Sequence, residues 1–293
     1  MTTPPNPLDA MRREIDEIDD AMHDLLMRRA EIAVRIGDHK TRNADRGYIR
    51  PAREAAILRR LVARHHGHFP AVVMVRLWRE LMAATSRIQG PFSVAVHAPE
   101  KSVGYWDLAR DHYGSGTQMT LHRAATLVIR AVADDTATVG VLTVPQDDDA
   151  NPWWPMLVAS GANMPKVVAR LPFIDNNNGR FEQLGALAIA RADHEPTGDD
   201  VSLVAIEATA DLSRVGLAEA FGAARLPANV TAVWTPPGEP DIRLYLIEIA
   251  DYVAADDARL DAVRTTTGER LSRMIDLGGY AVPLGDPGFG DDG

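Results

Sequence analysis

Residues 8–40, LDAMRREIDEIDDAMHDLLMRRAEIAVRIGDHK, contain the pattern that decides the first part of the fold. Their apolar residues recur at steps of four and three around one gap, at Met11, Ile15, Ile18, Met22, Leu25, Ile32 and Ile36. This spacing predicts a long helix with a coiled-coil-like seam, which Asn6 caps and Pro7 opens. About 33 residues at a rise of 1.5 Å give roughly 50 Å of helix, longer than a small domain is wide. We therefore expect the helix to have a partner.

Two shorter helices complete an all-α domain that we place at residues 1–90. After a polar loop at 41–48, Pro51 opens a helix that runs to about Arg64, and a third helix runs from Ala71 to about Ile88. Gly90 and Pro91 then end the helical pattern.

Charged and polar residues occupy positions where a core should be. Arg29 continues the apolar seam, Lys40 lies one turn past Ile36, and Gln89 lies one turn after Thr85. Arg53 and Glu54 precede the apolar face of the second helix by one turn, so we expect them to point inward. Buried cations need partners. Either acids such as Asp19, Asp24 or Glu54 neutralise them, or they bind a small polycarboxylate through forked arginine contacts.

Four segments make a resemblance specific: LDAMRREIDEID, LLMRRAEIAVRIGDHK, RPAREAAIL and RLWRELMAATSRIQ, spread over residues 8–89. In these segments the chain resembles the all-α chorismate mutase, an intertwined dimer of three-helix subunits. The resemblance implies conversion of chorismate to prephenate by a homodimer held together through the long first helix. It implies no cofactor and no metal.

The resemblance also assigns roles in binding the two substrate carboxylates. Arg29 matches the main carboxylate-binding arginine, and Arg53 matches a further carboxylate contact. Arg12 matches the arginine that reaches into the partner subunit's site. Thr85 occupies a position where a serine can contact the carboxylate.

Three more residues match contacts to the ether oxygen and the ring hydroxyl. Lys40 and Gln89 match the two donors to the ether oxygen, where negative charge builds as the C–O bond breaks. Glu54 matches the acceptor for the hydroxyl. Arg50 departs from the family, since some relatives have an acid there.

Residues 91–198 change to short β-rich runs that alternate with helical segments, which is typical of an α/β unit. FSVAVHAPEKSVGYWDLARDHYG and VGVLTVPQDD are similar to segments of prephenate dehydratase. Leu184, Gly185 and Ala186 stand where that family has its catalytic Thr-Arg-Phe motif, and the unit is too short for two lobes. We therefore predict a degenerate, single-lobed dehydratase-like unit without dehydratase activity.

Residues 199–285 predict a βαββαβ unit that ends in LGGYAVP and resembles an ACT domain. The strands are expected at Ser202–Ala208, Val230–Trp234, Ile242–Ile249 and around Tyr280–Val282, with helices at Leu212–Arg225 and Ala258–Ile275. The family's phenylalanine-binding motifs are absent from this unit. An amino acid or another enzyme of the pathway could bind this region. Residues 286–293 are expected to be a disordered tail.

Composition sets the outer bounds of function. The 293 residues include no cysteine and carry a net charge of −10, although residues 1–90 carry +4. Disulfide scaffolds and thiol chemistry are excluded, and we expect a cytoplasmic protein that binds a small anion rather than a membrane or nucleic acid. A bifunctional mutase and dehydratase, a non-catalytic regulatory dimer and a pyruvate-releasing lyase remain alternatives.

Overall fold

Three helices form the N-terminal part of the chain. The computed structural model describes residues 6–42, 49–99, 104–158, 164–174 and 184–285, with side chains from 6–40 in the first range. The helices are α1 (Pro7–Arg42), α2 (Pro51–Ala63) and α3 (Ala71–Gln89). Asn6 accepts a hydrogen bond from the backbone N–H of Leu8 at 3.1 Å, as expected of a cap. The three predicted helices are confirmed, whereas most of the predicted loop at 41–48 lies outside the described residues.

One face of α1 packs on α3, and the other stays in solvent. Ala33 and Gly37 are buried on the packed face. A Cβ on Gly37 would lie 3.0 Å from Cα of Gln89, so the two helix backbones approach very closely there. The predicted apolar seam faces away from α3, and its residues are each more than 40% exposed.

An α/β unit follows the helices. Its elements in chain order are β1 (Ser93–His97), α4 (Gly104–Tyr113), β2 (Gln118–His122), α5 (Ala125–Ala133), β3 (Val139–Thr143), a 3-10 turn (Trp154–Val158), β4 (Lys166–Leu171) and β5 (Ala186–Ala190). Strands β2, β1 and β3 are parallel, and β5 is antiparallel to both β3 and β4. Strand β2 was not among the predicted strands; it is a short edge strand, mostly exposed, with Met119 and Leu121 as its only apolar residues.

The last unit has the predicted βαββαβ order. It comprises β6 (Asp200–Thr209), α6 (Arg214–Ala223), β7 (Ala228–Trp234), β8 (Ile242–Ile249), α7 (Ala258–Thr267) and β9 (Leu271–Ala281). The described strands form one sheet in the order β2-β1-β3-β5-β4-β9-β6-β8-β7. The fold class, helices followed by an α/β region, is confirmed.

The prediction of a helix over Ala258–Ile275 is wrong in its second half. The helix ends at Thr267, where Gly268 has a φ of +62°. Residues from Leu271 onward pair with β6 as strand β9. A glycine in this left-handed region is a common helix stop, and it is the signal that the periodicity reading overlooked.

The predicted boundary at 198/199 falls between β5 and β6, which are strands of the same sheet. The two halves of the sheet meet where β4 runs parallel to β9, with Val167 opposite Gly278. One buried apolar cluster also includes residues from both sides of this boundary. The division into two domains stays a prediction, and the tail at 286–293 lies outside the described residues.

The α2 and α3 helices pack directly on the α/β region. Arg59 of α2 donates to Oγ1 of Thr197 at 2.7 Å, to the carbonyl of Asp199 at 2.7 Å and to the carbonyl of Val282 at 2.9 Å. Arg76 of α3 forms an ion pair with Asp111 of α4 at 2.8 Å. These contacts fix two of the three helices relative to the sheet.

Candidate active site on the three helices

Lys40 and Gln89 meet at the end of α1 and α3. Nζ of Lys40 donates to Oε1 of Gln89 at 3.2 Å, and both residues are half-buried. The close backbone approach at Gly37, three residues before Lys40, brings the two side chains within reach. The bond occupies the amide oxygen of Gln89 and leaves its Nε2 as a donor.

Arg29 and Thr85 form a second pair between the same two helices. Nη1 of Arg29 donates to Oγ1 of Thr85 at 3.2 Å and to the carbonyl of Leu81 at 3.3 Å. Burial lowers the pKa of Arg29 from its usual value of 12.5. An arginine with so high an intrinsic pKa still carries its charge near neutral pH. The structure therefore brings Arg29, Lys40, Thr85 and Gln89 together on α1 and α3.

Glu54 has a partner that sequence reasoning missed. Its Oε2 accepts from Nη1 of Arg79 at 2.9 Å, and the two side chains are 21% and 6% exposed. Burial raises the pKa of Glu54, while the charge and hydrogen bond of Arg79 oppose that rise. Glu54 was one of the acids that could have neutralised Arg29 and Lys40. In the structure it forms an ion pair with Arg79.

Arg53 does not face the interior of the chain, so that expectation is wrong. It is exposed on α2, whose buried residues are Ala55 and Leu58. Residue 53 lies about 200° around the helix from residue 55, on the opposite face. Its role in binding a carboxylate stays a prediction.

Arg12 and Arg50 also lie apart from the α1 and α3 pairs. Arg12 is exposed and donates to Asp9 at 3.2 Å, which fits a side chain that is expected to reach another copy. Arg50, at the predicted departure from the family, forms an ion pair with Glu195 at 3.2 Å.

In the α/β unit, Leu184 and Gly185 lead directly into β5, which begins at Ala186. A Cβ on Gly185 would lie 3.2 Å from Cγ2 of Val144. Leu184, Gly185 and Ala186 all lack a polar side chain that could donate or accept a proton.

The described residues show neither a metal-ligand cluster nor a membrane-spanning helix. Within these ranges, no three His, Cys, Asp or Glu side chains are grouped as metal ligands. None of the described helices is long and apolar enough to cross a membrane.

The three helices that carry these pairs are similar to a known family. Residues 11–90 match the chorismate mutase type II family. Two curated relatives are the bifunctional chorismate mutase/prephenate dehydratases of Pseudomonas aeruginosa, 30% identical over 141 residues, and Neisseria gonorrhoeae, 32% identical over 123 residues. These matches cover 47% and 42% of this chain but 38% and 31% of the relatives, so the chain spans well under half their length. The predicted resemblance of the N-terminal helices to chorismate mutase is confirmed.

Solved structures give weaker likenesses. A structure described as GqqA, a novel type of quorum quenching acylase, has a TM-score of 0.48 and 14% identity over 66% of this chain and 95% of that one. Prephenate dehydratase from Streptococcus mutans has a TM-score of 0.44 and 15% identity over 66% of this chain and 98% of that one.

Proposed function

We propose that this protein is a chorismate mutase that converts chorismate to prephenate in aromatic amino acid biosynthesis. The reaction is a unimolecular rearrangement in which a C–O bond breaks while a C–C bond forms. It needs donors aimed at the ether oxygen, because charge builds there in the transition state. The Lys40–Gln89 pair supplies an ammonium and an amide donor at one place, and this observation carries the proposal.

Arg29 and Thr85 would bind a substrate carboxylate beside that pair. The Arg29 guanidinium can form forked bonds to a carboxylate, and substrate would replace its present contacts to Thr85 and Leu81. Holding both carboxylates would select the compact conformer in which the reacting carbons are close, which lowers the entropic part of the barrier.

The proposal includes a homodimer. The exposed seam of α1 offers apolar residues along five turns, from Leu8 to Leu25, and a second copy would cover them. Such a copy would also bring its Arg12 to the site as a further carboxylate contact. Because Arg12 lies on α1 near this seam, binding and dimerisation would depend on the same helix face.

We expect the chain to lack dehydratase activity, although its curated relatives are named for both activities. Leu184, Gly185 and Ala186 offer no proton donor or acceptor at the place where the dehydratase motif was expected.

We also propose an ACT-like role for residues 199–285, with an amino acid or a pathway enzyme as its ligand, and a cytoplasmic location. The βαββαβ order and the globular composition support these two proposals.

The test follows loss of chorismate by the purified full-length chain, with identification of prephenate and a search for phenylpyruvate. Lys40→Met should lower kcat by roughly 10²–10³-fold, since it removes one donor to the developing oxyanion. Arg28→Met, on the exposed face of α1, is the matched control and should keep native kcat. Absence of turnover in the native protein would contradict the proposal and favour the regulatory dimer, and phenylpyruvate would favour the bifunctional enzyme.

A further inference from the structure

The turn at residues 114–117, Gly-Ser-Gly-Thr, follows α4 and docks against α3. The backbone N–H of Ser115 donates to Oε1 of Glu80 at 2.8 Å. Nη1 of Arg87 donates to Oγ1 of Thr117, also at 2.8 Å. The 114–117 turn of the α/β region therefore holds α3 at two points along its C-terminal half.

A close backbone approach lies between these two hydrogen bonds. Gly114 has a φ of +86°, a conformation that favours glycine. A Cβ at this position would lie 2.6 Å from Cβ of Ala83, which is itself 5% exposed. Any side chain at position 114 would push α3 away from the turn.

The hydroxyl of Thr117 is oriented to accept a hydrogen bond from α3. Its one proton goes to the carbonyl oxygen of Tyr113, so a lone pair of Oγ1 is left for the Arg87 guanidinium. Thr117 is 8% exposed, and a hydrogen bond is stronger where water is excluded. The guanidinium also lies against Gly116, where a Cβ would be 3.4 Å from Nη2.

The docked face of α3 lies opposite the face that carries the proposed catalytic residues. Glu80, Ala83 and Arg87 are three and four residues apart, so they share one face of the helix. At 3.6 residues per turn, Thr85 and Gln89 lie roughly 150–170° around the helix from it. On that second face both residues are hydrogen-bonded to α1. The helix is thus held between the α/β region and α1.

We propose that the 114–117 turn positions the mutase site by holding the C-terminal end of α3 against α1, with Arg87 and Thr117 as positioning residues. Arg87 lies between Thr85 and Gln89 in the last turn of the helix, so a displacement at Arg87 moves both. The α/β region then serves the mutase reaction without any dehydratase chemistry. The inference rests on the proposed mutase function.

The first test measures kcat and KM for chorismate in Arg87→Met and Thr117→Val, each of which removes one side of the hydrogen bond. A displaced helix end misaligns the Gln89 donor, so kcat should fall about tenfold. KM should change less, because donors to the ether oxygen act mainly in the transition state. The double variant should lose little more than either single variant, since both remove the same bond.

Conservative variants and a matched control separate positioning from general loss of packing. Arg87→Lys and Thr117→Ser keep a donor and an acceptor, and should retain most of the native kcat. Arg76→Met removes the ion pair that Arg76 forms with Asp111 of α4 at 2.8 Å, also between α3 and α4. Arg76 lies roughly 20 Å along the helix from Gln89, so this control should keep the native kcat.

Two kinetic outcomes would overturn the inference. One is a native kcat in Thr117→Val, which changes little in volume and decides the question if Arg87→Met does not fold. The other is an equal fall in kcat in Arg76→Met, which would mean that any loss of docking lowers activity.

A native chain that does not convert chorismate contradicts the proposed function by itself, and the docking is then tested by amide hydrogen exchange. The amides of residues 86–89 should exchange faster in Thr117→Val than in the native chain, whereas those of the first turn of α3 should not change. Equal exchange at residues 86–89 in the two proteins would show that the turn does not hold this end of the helix.

Discussion

Gly37 controls how closely α1 and α3 approach beside the Lys40–Gln89 hydrogen bond. It is buried, and a Cβ at this position would lie 3.0 Å from Cα and 3.2 Å from the carbonyl oxygen of Gln89. Both contacts are to backbone atoms, which cannot rotate away as a flexible side chain could. The glycine is therefore required by packing and not by a special φ angle.

Gly37→Ala should widen the gap between α1 and α3 by a few tenths of an ångström and displace Lys40 relative to Gln89. Because catalysis depends on how the donors are aimed, kcat should fall about tenfold or more. Steady-state kinetics with chorismate check this. Gly222→Ala on α6, where a Cβ meets no atom within 4 Å, should leave kcat unchanged. Native kcat in Gly37→Ala would show that the spacing at this point does not matter.

At the scale of residues, the sequence predicted some of the side-chain positions at the candidate site and did not predict others. Helical spacing and the resemblance predicted that Arg29, Lys40, Thr85 and Gln89 belong to one site, and the structure brings them together as two hydrogen-bonded pairs. The Glu54–Arg79 pair was not predicted, because it depends on enclosure by Phe173, which is distant along the chain. Arg53 lies one turn before Ile57, but the buried face of α2 is set by Ala55 and Leu58, and this places Arg53 in solvent.

At the scale of elements, α1 is unusual in exposing its apolar seam. Ile15 and Ile18 are 57% and 52% exposed, and Leu25 is 63% exposed. A continuous apolar stripe of this length is typical of an interface with another helix. The spacing of three and four residues predicted this stripe, because the positions of the apolar residues depend only on the local sequence of α1.

Ile18→Asp should shift the proposed homodimer toward monomer, because it places a charge in the middle of the seam that a second copy would cover. Activity should fall with dimerisation, since Arg12 would no longer reach a partner's site. Sedimentation equilibrium at micromolar concentration, together with chorismate turnover, measures both effects. Glu17→Gln, at the adjacent exposed polar position, should remain dimeric and active. A monomeric native protein, or a dimeric Ile18→Asp variant, would be inconsistent with this interface.

The boundary between α7 and β9 shows why local patterns fail for some elements. Leu271, Met274 and Ile275 fit a helical spacing, yet they belong to a strand. Their conformation is set by pairing with β6, more than sixty residues earlier in the chain, and by the helix stop at Gly268. Tertiary pairing here overrides the apparent period of the sequence.

At the scale of the whole molecule, one continuous sheet joins the two units that the sequence separated at 198/199. The joint depends on Gly278, whose φ is +91° and whose Cβ would lie 2.2 Å from the carbonyl oxygen of Val167. Helix α2 contacts the sheet close to the β4–β9 pairing, because Arg59 of α2 donates to the carbonyl of Val282 just after β9. Disturbance at Gly278 should therefore affect the entire α/β region and the packing of α2.

Gly278→Ala should lower the free energy of unfolding by about 3 kcal/mol, since it adds a backbone clash to an unfavourable φ angle. Calorimetry of the native chain should show the α/β region unfolding in a single transition, which the variant moves as a whole to lower temperature. Gly216→Ala on α6, where a Cβ makes only ordinary contacts at 3.5 Å, is the control and should keep the native transition. Two native transitions, with only one of them shifted by Gly278→Ala, would instead mean that residues 91–198 and 199–285 fold as separate domains despite their shared sheet.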